Sequence, residues 1–162
     1  MKPSEVMAHV KAHFCELPPV TLVQFDASGG MLRGAALDIL IKPAQRCRVQ
    51  VIHDDSQSIT LGTLAGHPEA GRITFGAYRN AAGDVIFHIR SRARSADLVT
   101  LIGFFALGEA MQTDTWTDFI NNTAALARAR IDGPIRADTE DVERAVDDDP
   151  GVAGPTFRAV GD

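Results

Sequence analysis

Six segments between Val20 and Arg92 alternate apolar and polar residues, and each is joined to the next by a connection of only a few residues. They are Val20 to Phe25, Met31 to Ile41, Arg46 to His53, Ser58 to Ala65, Arg72 to Asn80 and Asp84 to Arg92. Alternation with period two is the signature of a half-buried strand. Turn residues punctuate the series at Ser28-Gly29-Gly30, Asp54-Asp55 and Ala82-Gly83-Asp84. Parallel neighbours would each need a crossover of a dozen or more residues, so the chain predicts an antiparallel meander.

Helical periodicity flanks this series. Ser4 is a predicted N-cap with Glu5 in the first turn, and Val6, Met7, Val10, Phe14 and Leu17 recur at helical spacing before Pro18-Pro19 ends the run. A longer helix is predicted from Ser95, as N-cap with Asp97 in its first turn, to about Arg128. Its apolar stripe runs through Leu98, Leu101, Ile102, Phe105, Gly108, Trp116, Phe119 and Ile120, and Glu109 and Gln112 interrupt it. Those two polar groups belong either in a wet cavity between helix and sheet or, with a kink at Gly108, in solvent, since a buried group without a partner is costly.

At 162 residues, with 45% hydrophobic and 23% charged, the chain reads as one globular domain with a substantial core. Nine acidic and three basic residues follow Ile131, a net of −6 against −5 for the whole chain, so residues 1–131 carry about +1. Residues 1–131 are therefore expected to form the domain and 132–162 an acidic, flexible tail. A nearly neutral body argues against nucleic acid as the main partner. No run approaches a membrane span, and the N-terminus lacks an apolar leader, so a cytoplasmic location is expected. Cys15 and Cys47, the two cysteines, fall in separate elements and read as reduced thiols. With no phosphate-binding loop, Cys-x-x-Cys or His-Glu-x-x-His, no metal and no cofactor is expected.

Between the fourth and fifth segments lies Gly62-Thr63-Leu64-Ala65-Gly66-His67-Pro68-Glu69-Ala70-Gly71, a compact polar loop followed four residues later by Phe75. This pattern resembles the bacterial and plant family known as domain of unknown function nineteen-ninety. The resemblance extends from about Val20 to Ala127 and includes Ile89-Arg90, Arg94 and Gln112. Leu61 stands where the family has an aromatic residue, Arg72 where it has an acid, and Ala93-Arg94-Ser95 where it has Ser-Arg-Pro. The resemblance implies an α+β, START-like fold, in which a curved antiparallel sheet wraps a long C-terminal helix and often encloses an apolar cavity; the N-terminal helix is added to it. It implies no established activity.

His67 and Glu69 read first as groups that hydrogen-bond the loop into one shape. They also suit ligand contact or general acid/base chemistry. Arg90, Arg92 and Arg94 alternate with His88 and Ile86 along one face, the solvent face, with Arg94 at the strand end placed to anchor an acidic ligand group. Phe75 is assigned to the core and Tyr78 to an exposed position. The leading expectation is a small apolar or amphipathic ligand held between sheet and helix, with His67, Glu69, Arg94, Glu109 and Gln112 as candidate contacts. One alternative is a hydrolase or cyclase of the same fold, using the His67/Glu69 loop or Glu109. Another is an interaction module without a ligand.

Overall fold

The computed structural model describes residues 1–41, 45–67, 69–95, 113–138 and 156–159; side chains are described throughout these except at 69, 93–95 and 156–159. Helix α1, Pro3–Ala12, leads through a 3-10 turn, Phe14–Glu16, into strands β1 Val23–Asp26, β2 Ala36–Ile41, β3 Gln45–Asp54, β4 Ser58–Thr63, β5 Glu69–Arg79 and β6 Val85–Ser95. Helix α2 covers 113–126. Strands β7, Ile135–Asp138, and β8, Thr156–Ala159, complete the elements.

All six alternating segments form strands, and each pairs antiparallel with the next. The meander curls into a half-barrel. The second segment begins later than its pattern predicts, at Ala36, because Gly30 and Gly34 take left-handed backbone conformations that keep 30–35 in turns. Between β3 and β4 the register shifts at Val51/His53. Ile52 is thereby the extra residue of a bulge, and its side chain lies across Gly62.

β6 does not end the sheet. β8 pairs antiparallel with it, Phe87 to Ala159 through Arg90 to Thr156, and β7 pairs with β8, giving the order β1-β2-β3-β4-β5-β6-β8-β7. The stretch expected as a flexible tail from 132 onward thus supplies two strands. Net charge reports on solvation, whereas β6 offered an unpaired edge that any short extended segment can complete. The acidic run Asp147-Asp148-Asp149 lies outside the described residues.

The core sits on one face of the sheet, beneath α1, the 3-10 turn and α2. Val6, Met7, Val10, Phe14 and Leu17 are all buried, as their spacing predicts. The cap differs: Lys2, not Ser4, is the N-cap, and its backbone N–H donates to Glu5 Oε2 at 2.7 Å. Pro3 accounts for this, since its fixed φ and missing N–H suit the first helical position. Phe119 of α2 is fully buried and stacks on Phe87 at 6.3 Å, tilts against Phe75 at 5.0 Å and meets Phe14 edge-on at 5.5 Å. Phe14 also meets Phe25 and Phe75 edge-on, at 5.3 and 5.0 Å. Asn122 Nδ2 donates to Leu17 O at 2.7 Å and ties α2 to the chain below α1.

Of the long predicted helix, the described part is 113–126, where Phe119 and Ile120 are buried and Trp116 half-buried as expected. Arg128 follows with φ +50°, the left-handed conformation that ends helices. Ser95 is the last residue of β6, and 96–112 fall outside the described residues. Cys15 and Cys47 are both free thiols, and burial pushes the Cys15 thiol up.

Candidate functional site

The Gly62–Gly71 loop closes at its base through one side chain. The β4–β5 ladder ends at Gly62 opposite Arg72, and beyond it the Thr63 hydroxyl takes over. Thr63 Oγ1 accepts from Gly71 N at 2.9 Å and donates to Gly71 O at 3.2 Å, so both backbone groups of one residue are satisfied by one hydroxyl. Leu64 N donates to Arg48 O at 3.0 Å, and His67 N to Leu64 O at 3.1 Å. Gly66 has φ +89°, a conformation that glycine adopts without strain. The loop is held by its backbone as well as by its side chains.

Thr63→Val keeps the shape and removes the hydroxyl. It is expected to cost about 1 kcal/mol, because the Gly71 groups are only partly buried and water replaces the lost partner. Hydrogen exchange checks this: amide protection should fall in 64–71 and stay unchanged in α1.

Register decides which predicted site residues meet. β5 and β6 pair along eleven residues, with Glu69 opposite Ser95 and Ala70 opposite Arg94. His67 is half-buried, two residues before the start of β5. His67, Glu69 and Arg94 therefore collect at one end of the sheet, although they are 27 positions apart at most in sequence. Glu109 and Gln112 lie outside the described residues.

Toward this end the core face opens. Ile59, Phe75 and Ile89 form a fully buried row across β4, β5 and β6. One step nearer the loop, Leu61 is buried but Ile73 and Ser91 are half-buried, and the next step holds the half-buried Thr63 and Gly71. Apolar surface thus grades into polar groups along the sheet.

The opposite face presents a different chemistry. Arg90 is exposed and Arg92 half-buried there, as alternation predicts, and Tyr78 is 41% exposed while Phe75 is fully buried. The His88 ring lies over Gly76, its cross-strand partner, and meets Tyr78 edge-on at 5.6 Å. Burial holds the His88 imidazole below its ordinary pKa, and Arg90 adds to the effect. Beside them Thr60 and Thr74 share a hydroxyl–hydroxyl bond of 2.9 Å. The contact of His88 with Gly76 was readable in principle, since a glycine inside a strand marks a close approach.

The hairpin turn between β3 and β4 is built on Asp55. Its carboxylate accepts from Gln57 N at 2.8 Å and Ser58 N at 2.7 Å, and pairs with His53 Nε2 at 2.9 Å. These bonds, the Gln57 amide foremost, hold its pKa down at about 2. Lys11 of α1 reaches Asp54 in the same turn, which fastens the helix to the sheet. These residues serve the fold.

Among the described residues no helix is long and apolar enough to cross a membrane. No curated protein and no solved structure matches the chain. A family model does match, over residues 18–121, nearly the span that the loop motif and its neighbours imply. With that match over more than half its length, the chain belongs to the family described as "Domain of unknown function (DUF1990)".

Proposed function

We propose that the protein binds a small amphipathic molecule without transforming it, at the loop end of the sheet's core face. The observation that carries this reading is the β4–β5–β6 register, which brings the His67 loop to the end where the core face passes from fully buried to half-buried, while Arg94 shares the outer-face parity of Arg90 and Arg92. A pocket with apolar walls and a few convergent polar groups is the usual form of a small-molecule site. The apolar body of the ligand lies against Ile73, and its polar group meets the loop. The rigid loop base favours binding, because little order is lost when the ligand arrives.

Anilinonaphthalene sulfonate, an anionic amphipathic dye, tests the site. The wild-type protein should enhance its fluorescence saturably, and His67→Ala should weaken binding about tenfold without lowering the melting temperature. Dye binding that His67→Ala leaves unchanged would remove the site from this end of the sheet. A large loss of thermal stability in His67→Ala would assign His67 to holding the loop.

A further inference from the structure

The aromatic core contains one ring that is not closed over. Among the described residues its connected rings are Phe14, Phe25, Phe75, Phe87, Phe119 and Trp116. The phenylalanines are all buried, whereas Trp116, the chain's one tryptophan, is half-buried. Its indole meets Phe75 at 5.8 Å and Phe119 at 6.2 Å, with interplanar angles of 72° and 62°. The uncovered part of the indole therefore lies away from both.

Register fixes where that open ring stands. Phe75 pairs with Ile89 and Ala77 with Phe87, so Phe87 belongs to the row one step beyond Phe75 on the side away from the loop. Phe119 reaches Phe87, at 6.3 Å, while Trp116 meets Phe75. Residues 116 and 119 are less than one turn of helix apart, so the N-terminal end of α2 is the end nearer the loop, and Trp116 stands on the loop side of Phe119. The next row in that direction is Ile73 with Ser91, both half-buried, where the core face opens.

We propose, on the basis of the binding reading above, that the ligand carries a flat, uncharged body of about two fused rings, which packs on the open part of Trp116. Aromatic rings pair favourably in edge-on and offset arrangements, and a ligand ring at Trp116 adds one more member to a cluster already built that way. Leu61, Thr63, Ile73 and Ser91, which border the opening, are all uncharged. The room is short. From Phe75 to Gly71 at the loop base is four residues of β5, about 13 Å at 3.3 Å per residue. Two fused rings with a polar substituent directed at the loop fit that length, and an extended long acyl chain exceeds it.

The experiment is calorimetric titration of the full chain with 2-naphthol and with decahydro-2-naphthol, the saturated alcohol of the same carbon skeleton. The wild type should bind 2-naphthol one-to-one and about tenfold more tightly than the saturated alcohol. In a 15N-labelled sample the single indole N–H resonance should move with the same saturation curve. Trp116→Phe, which keeps a ring, should retain most of the affinity, and Trp116→Leu should lose at least tenfold. The indole resonance reads the contact in the wild type, whatever the leucine variant does to stability. Equal binding of the two alcohols, or 2-naphthol binding that leaves the indole resonance in place, would overturn the ring assignment, while dye binding that depends on His67 would still uphold the site. Loss of that dye binding as well would remove the site and the ring assignment together.

Discussion

Phe119→Ala is expected to destabilise the protein by about 3–5 kcal/mol. Phe119 is fully buried and its ring meets four others, those of Phe14, Phe75, Phe87 and Trp116. Those four come from the 3-10 turn, β5, β6 and α2, so one side chain joins both helical segments to the middle of the sheet. Truncation removes apolar burial and leaves a cavity whose walls are held apart by strands on one side. A domain of this size has about 5–15 kcal/mol in total, so the variant should be close to the edge of folding. Urea denaturation measures the loss, and Phe119→Leu, which retains most of the volume, should lose clearly less. A loss under about 1 kcal/mol for the alanine variant would mean that α2 does not hold the sheet as described.

The second large effect concerns Gly76 and His88. A Cβ built at Gly76 would lie 2.7 Å from His88 Cε1 and 3.0 Å from Nε2, so Gly76→Ala forces the imidazole off the sheet. The expected cost is about 1–3 kcal/mol. In a His88→Ala background the same substitution meets no ring and should cost only a few tenths, a coupling that a double-mutant cycle isolates. Equal costs in both backgrounds would show that the ring does not rest there.

His88 also makes stability depend on pH in a defined direction. Its pKa in the folded protein is lowered, chiefly by burial and then by Arg90. As pH falls, the unfolded chain takes up a proton first, near the ordinary histidine value of ~6.5. The stabilising contribution of neutral His88 is therefore complete above that pH and is lost as pH falls through it toward the folded value. Stability of the wild type relative to His88→Leu should decline over that window. A difference that stays flat from about pH 8 to pH 5 would contradict the assignment.

The meander was legible because its signal is local. Alternation in β3 to β6 fixes which side of each strand meets the core, and the short turns leave only antiparallel pairing. Val6, Met7, Val10, Phe14 and Leu17 were legible for the same reason, as a single stripe at helical spacing. β7 and β8 were not. Each is four residues long, the two are separated by an acidic stretch, and they owe their place to the free edge of β6, which no local pattern reveals. The loop was readable as a shaped turn, with His67, Glu69 and Arg94 as candidates, but its fastening through Thr63 depends on where the β4–β5 ladder stops. Arg72 was visible as a departure from the family pattern. That it stands opposite Arg92 is a fact of register alone.

The ligand-binding account rests most directly on what the protein carries when it is isolated. Native mass spectrometry of freshly purified protein, followed by solvent extraction of anything released, reads this without a choice of candidate ligand. Ligand binding predicts a stoichiometric small amphipathic molecule on the wild type that is absent from His67→Ala of equal thermal stability. A wild-type protein that is empty and that also fails to bind the anionic dye would contradict it.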